Sequence, residues 1–196
     1  AHFHIAYDGI AVIVHPSNDF CDSLSVEQLK EIFRIDSPIE TWSDLDPSWP
    51  NEEIHLVGPG TDSGTYDSFN EGILGHDTRI RADYPTSEED NSIVNGVQQD
   101  KFGLGYLGYA YYIENADRLK ALAIDPGDGN PIAPTVDTIR DQSYTPLARP
   151  LFIYVNTASL KKEKVARFVK FYLDNAAELA QDVDYVPVEE SIAADN

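Results

Sequence analysis

The sequence predicts an α/β fold. Short apolar runs rich in β-branched residues, such as Ile10-Ala11-Val12-Ile13-Val14, alternate with segments whose apolar residues recur at helical spacing. No internal repeat or low-complexity block interrupts that alternation. The 196 residues, 42% hydrophobic and 24% charged, suffice to bury a core without disulfides and argue against disorder.

Phe3 to His15 reads as a strand pair or one long strand, with Asp8-Gly9 able to turn the chain before the apolar run. Ser25-Val26-Glu27-Gln28 fits a capping box, with Ser25 as N-cap. Val26, Leu29, Ile32 and Phe33 then share one helical face, and Ser37-Pro38 stops the helix. Trp42 to Leu45 reads as a short helical turn. Ile54 to Val57 reads as a strand, followed by a Gly-rich loop and a helix carrying Tyr66, Phe69, Asn70 and Ile73, with Gly75 near its end.

Ser87-Glu88-Glu89-Asp90 looks like the cap of a helix carrying Ile93, Val94 and Val97. Gly103 to Tyr109 is a glycine-spaced strand and turn, Leu122 to Ile124 a strand, and Asp125 to Pro134 a loop by its Gly and Pro content. Pro150 to Val155 is an apolar strand. Lys162 to Ala180 is the clearest helix, with Val165, Phe168, Val169, Tyr172, Leu173, Ala176 and Leu179 at helical spacing. Gln181 to Asn196 reads as a tail or a sheet edge.

Charge excludes some partners. Asp and Glu number 34 against 14 Lys and Arg, a net −20, which repels nucleic acid and anionic membrane surfaces. The acidity fits ordinary solubility or adaptation to high salt, the latter matching the scarcity of Lys. No apolar run approaches the ~18–20 residues of a membrane span. The single cysteine, Cys21, excludes an intrachain disulfide and a Cys metal cage. The sequence contains no Met, so Ala1 is expected to follow processing or a missing upstream part.

The segment that carries chemistry runs from Leu56 to Ile73, where a strand delivers Gly58-Pro59-Gly60-Thr61-Asp62-Ser63-Gly64-Thr65 to a helix start. Glycines let backbone approach a ligand, and free N–H groups at a helix start favour an anion. The pattern admits two readings: an oxyanion cradle built by Ser63, Gly64 and Thr65, or an ordinary capped helix. A Walker A loop, a Gly-x-Ser-x-Gly elbow and a His-Glu-x-x-His helix are all absent. His2 and His4 share a strand face at the terminus, and His55 reads as a partly exposed or satisfied histidine rather than a base for Ser63. Neither a catalytic role, a cofactor nor a metal is expected.

The loop resembles the signature of phosphate-binding proteins, the soluble receptors of high-affinity phosphate ABC transporters. Ala6 to Val14 looks like that family's first interdomain crossing strand. Ser87 to Asn91, Gly103 to Tyr112, Arg149-Pro150-Leu151-Phe152-Ile153-Tyr154-Val155 and Tyr185-Val186-Pro187 follow in the family's order. The resemblance covers nearly the whole chain. It implies a periplasmic-binding-protein fold of the second type, with two α/β lobes joined by crossing segments.

On that resemblance residues 1–12 hold the first crossing strand and a remnant of the first lobe, 13–148 the second lobe, and 149–196 the return to the first. Ser63, Gly64 and Thr65 match the family's phosphate-holding Ser-Gly-Thr, with Thr61 beside them. Many members place an Arg four residues before that Ser; here the position is Pro59, and Arg81 is the candidate replacement, with an ion pair to Asp83 as its other reading. The implied partners are inorganic phosphate and a membrane ABC permease, and the implied location is periplasmic or extracellular, with association through the transporter or a lipid anchor. Nothing before His2 supplies the family's first-lobe phosphate loop or its proton-accepting aspartate. The expectation is therefore a C-terminal part of a receptor carrying half the site, completed by the missing N-terminal lobe or a partner chain. The alternative is a structural, self-associating module of the same fold without transport.

Overall fold

A computed structural model describes residues 1–75, 78–183 and 185–188. Strand β1 (His2–Val14) is continuous over 13 residues. Strand β2 (Ser23–Ser25) leads into helix α1 (Val26–Phe33), and the Ser25 capping box forms as expected: Ser25 Oγ accepts from Gln28 N at 3.1 Å and Gln28 Oε1 from Ser25 N at 2.9 Å. The helix ends at Phe33, ahead of Ser37-Pro38, because Arg34 turns extended and bridges Ile80. Helix α2 (Trp42–Leu45) places Trp42 in the core, its indole N–H donating to the Phe102 carbonyl at 3.1 Å.

Strand β3 (His55–Pro59) runs into the Gly-rich loop and helix α3 (Gly64–Phe69), which continues as a π-helical turn over Asn70–Leu74. Gly75 ends that rod with φ +67°, a conformation glycine adopts without strain. Strand β4 (Thr86–Ser87) precedes helix α4 (Asp90–Gln98), whose N-cap is Glu89; Ser87 Oγ instead accepts from the Glu89 amide at 3.0 Å. Strand β5 (Gly103–Gly108) passes directly into helix α5 (Tyr109–Glu114), so the turn expected at the end of Gly103 to Tyr109 is the start of a helix.

Strands β6 (Lys120–Ala121) and β7 (Ala123–Asp125) follow, then helix α6 (Val136–Arg140) and strand β8 (Ala148–Tyr154). Helices α7 (Thr157–Leu160), α8 (Glu163–Asp174) and α9 (Ala176–Gln181) and strand β9 (Val186–Pro187) complete the described chain.

β1 organises the sheet. Its first half, His2 to Gly9, pairs antiparallel with β8, and β9 pairs with it at Ala6 and Tyr7. Its second half, Ile10 to Val14, pairs antiparallel with β5 and β6. Asp8-Gly9 therefore makes no turn; it is the point where the strand changes partners. β3 lies parallel to both β5 and β4, giving the order β4-β3-β5-β1-β6. Side chains alternate across the strand: Ala11 and Ile13 pack with Ile93, Val94 and Val97 of α4, while Val12 and Val14 face the larger cluster containing Trp42, Phe69 and Tyr106. All of these are essentially dry.

The expected single helix over 162–180 is two helices. Asn175 stands between α8 and α9, its side-chain amide donating back to the Phe171 carbonyl at 2.6 Å. Of the expected stripe, Val169 and Ala176 are buried, whereas Phe168 is 65% exposed. α9 packs on β1 and β9. The expected terminal segment resolves in part into the β9 edge; residues 189–196, like His76, lie outside the described residues.

Candidate functional site

The β3–loop–α3 segment is built as its residue types dictate. β3 ends at Pro59, and the chain turns tightly, with Ser63 N donating to the Gly60 carbonyl at 3.1 Å. Ser63 is the N-cap, in extended geometry at φ −91° and ψ 132°, and its Oγ accepts from Thr65 N at 3.2 Å. A methyl at Gly60 would run into the Glu88 carboxylate, whereas one at Gly64 would meet nothing within 4 Å. The backbone at Gly64 thus faces open space.

That space is a cleft of about 410 Å³. Gly64 and Thr65 line it from α3, Asp8 from β1, Arg149 from β8, Asp90 from the start of α4, and Tyr185 from just before β9. Asp8 is 7% exposed. Its Oδ2 accepts from Arg149 Nη2 at 3.0 Å and from Nε at 3.3 Å. Arg149 Nη1 donates to Ser68 Oγ, and Ser68 Oγ donates in turn to the Gly64 carbonyl at 2.7 Å. A continuous polar chain therefore runs from β1 through the guanidinium to the first residue of α3. Burial raises the pKa of Asp8, and the Arg149 charge opposes that rise without cancelling it. Burial, with a smaller contribution from Glu89, also raises that of Asp90.

The sequence-predicted residues separate. Gly64 and Thr65 line the cleft, and Ser63 caps the helix beside it. Thr61 lies exposed on the turn. Arg81 lines a different depression, of about 370 Å³, with Glu40 and Glu53. Its Nε and Nη2 grip the two carboxylate oxygens of Asp83 at 2.6 and 2.8 Å, and Nη1 donates to the Ile32 carbonyl at 3.4 Å. The ion pair weighed as the other reading of Arg81 is thus present. His55 is partnered by the Asp100 carboxylate, and the His4 ring packs edge-on to Tyr7 at 4.4 Å.

Arg149 is the residue that sequence reasoning missed. Its signal was available: Asp8 and Arg149 are charges set within otherwise apolar strand segments, and two opposite charges in such settings call for each other.

The model of the PBP superfamily domain matches residues 1–176. The chain belongs to that family. Protein SphX of Synechococcus elongatus is 42% identical over 186 residues, which are 94% of this chain and 55% of that protein. The phosphate-binding protein PstS of Staphylococcus aureus is 40% identical over 189 residues, 96% of this chain and 56% of that protein. The chain spans about half the length of these curated relatives.

Among solved structures, one described as a possible phosphate binding protein from Planctomyces limnophilus superposes with a TM-score of 0.90 at 42% identity, covering 100% of this chain and 69% of that one. An ABC-type phosphate transport receptor from Vibrio cholerae superposes at 0.74 with 23% identity, over 95% of this chain and 72% of that one, a likeness of fold.

Proposed function

We propose that this chain binds inorganic phosphate in the cleft beside Gly64, as the soluble receptor part of an ABC phosphate transporter. The observation that carries the reading is the meeting of the open α3 start, at Gly64 and Thr65, with a guanidinium in one cleft. An oxyanion entering there exchanges water for fixed donors: the Gly64 amide at the start of α3 and the hydroxyls of Ser63 and Thr65. The name of the PstS relative, a phosphate-binding protein, and the resemblance of Gly58 to Thr65 to the phosphate-binding signature support it.

In this reading residues 13–148 form one lobe, and 1–12 with 149–196 belong to the other, with β1 and β8 crossing between them. The ligand sits where the crossing strands meet α3, so its capture is coupled to lobe closure, and closure presents a surface to the permease. The location is outside the cytoplasmic membrane; among the described residues no helix is long and apolar enough to cross it. No bond is made or broken. Ser63 is committed as a helix cap rather than poised as a nucleophile.

Calorimetric titration with inorganic phosphate, with sulfate as control and the Ser63→Ala/Thr65→Ala variant alongside, tests the reading. Phosphate binding that weakens at least tenfold in the variant supports it. Binding unchanged in a variant that melts like the parent refutes the assignment of the site.

A further inference from the structure

We infer that Arg149 is the cation that engages the bound oxyanion, in place of the loop arginine whose position is taken by Pro59. The inference rests on the oxyanion reading of the cleft. Among the described residues that line the cleft, Arg149 is the only base. Arg81 lines another depression and has its guanidinium engaged by Asp83 and the Ile32 carbonyl. Pro59 is buried at the end of β3 and carries no charge.

The donor arithmetic of Arg149 favours a ligand. A guanidinium has five N–H groups in a rigid planar fork. Nε and one N–H of Nη2 are directed to Asp8, and one N–H of Nη1 to Ser68. Among the described residues no acceptor engages the second N–H of either terminal nitrogen, which leaves two donors for oxygens of a tetrahedral oxyanion. The side chain is 40% exposed while its partner's is 8% exposed, so the guanidinium is anchored from the dry side and reachable from the wet one. Through Ser68 it is tied to the carbonyl of Gly64, the residue whose backbone opens the cleft. A mobile surface arginine would lose side-chain entropy on capturing an anion; this one has already been ordered by the fold.

Asp8 neutralises much of the cation's charge at long range, so the contribution of Arg149 is short-range and directional. That separates Arg149 from a merely electropositive surface residue. A lysine there keeps the charge and loses the fork, and is expected to bind less well than the arginine.

The test is phosphate titration of the chain carrying Arg149→Gln, Arg149→Lys, Arg81→Gln, or Asp8→Asn with Arg149→Gln. The double variant removes the carboxylate that a single Arg149→Gln would strand, so it keeps the experiment interpretable if the single variant misfolds. Arg149→Gln and the double variant are expected to bind phosphate at least tenfold more weakly, Arg149→Lys to fall between them and the parent, and Arg81→Gln to stay within twofold. A double variant that melts cooperatively and binds within twofold of the parent overturns the role of Arg149 and leaves the cleft standing. A parent chain that binds no phosphate overturns the cleft reading and this inference with it.

Discussion

Asp8 and Arg149 stand directly opposite each other in the β1–β8 ladder, with Asp8 Oδ2 3.0 Å from Arg149 Nη2. The pair sits where β1 exchanges β8 for β5 as its partner. A buried charge is tolerated only when paired, so this register fixes both side chains at the mouth of the cleft.

The first prediction concerns that pair and pH. Burial raises the Asp8 pKa above its unfolded value, so the native state binds the proton more tightly than the unfolded state. Stability from this group is therefore fully present below the ordinary carboxylate pKa and declines as pH rises through the raised native pKa. Urea unfolding from pH 4 to 7 should show a component of declining stability that Asp8→Asn removes. An Asp8→Asn variant with the parent's pH slope would contradict it.

Removing only the cation should be costly. Arg149→Ala strands a carboxylate that is 7% exposed and should destabilise the fold by about 2 kcal/mol, with Asp8→Asn in the same chain recovering a large part. The thermodynamic cycle from urea midpoints measures it; equal stability of the single and double variants would count against the pairing.

Gly64 and Gly105 should behave oppositely. A Cβ at Gly64 meets nothing within 4 Å, so Gly64→Ala should fold like the parent while its methyl, placed in the cleft, lowers phosphate affinity at least tenfold. A Cβ at Gly105 would lie 2.9 Å from the Val57 carbonyl oxygen and 3.0 Å from Val97 Cγ2, so Gly105→Ala should lose about 2 kcal/mol by forcing β3 and β5 apart. Thermal melts of both variants, with a phosphate titration of the first, check this.

Cys21 should be inert in the native protein. It is fully buried, and burial pushes its thiol pKa up to about 12. At pH 8 a disulfide reagent should label it only as fast as the chain opens, and immediately in denaturant. Rapid native labelling would show that the core around Cys21 opens without global unfolding.

The legible parts of this chain are those whose signals are local. The Ser25 box, the Ile10–Val14 run and the strand–loop–helix at Leu56 to Phe69 each carry their instruction within a few residues. α5 was invisible because Gly108, its N-cap, offers no side-chain acceptor and the glycine spacing before it reads as turn. The break at Asn175 was hidden inside an unbroken apolar period. Asp8-Gly9 looked like a turn because the change of partner that it marks depends on β5 and β8, about 100 and 140 residues away along the chain. For Arg149 the charge within an apolar strand is legible, but its partners are not: only the tertiary fold brings it together with Asp8 and Ser68. Arg81 offers a cation in place of the one missing at Pro59, yet Asp83, two residues on, already holds it.

The most direct measurement is an amide NMR titration of the chain with inorganic phosphate. The account predicts saturable shifts of the Gly64 and Thr65 amides together with the Arg149 guanidinium N–H groups, all moved to at least tenfold higher phosphate concentration by Gly64→Ala. Saturable shifts that leave Gly64, Thr65 and Arg149 unmoved, or no shifts at all, would contradict it.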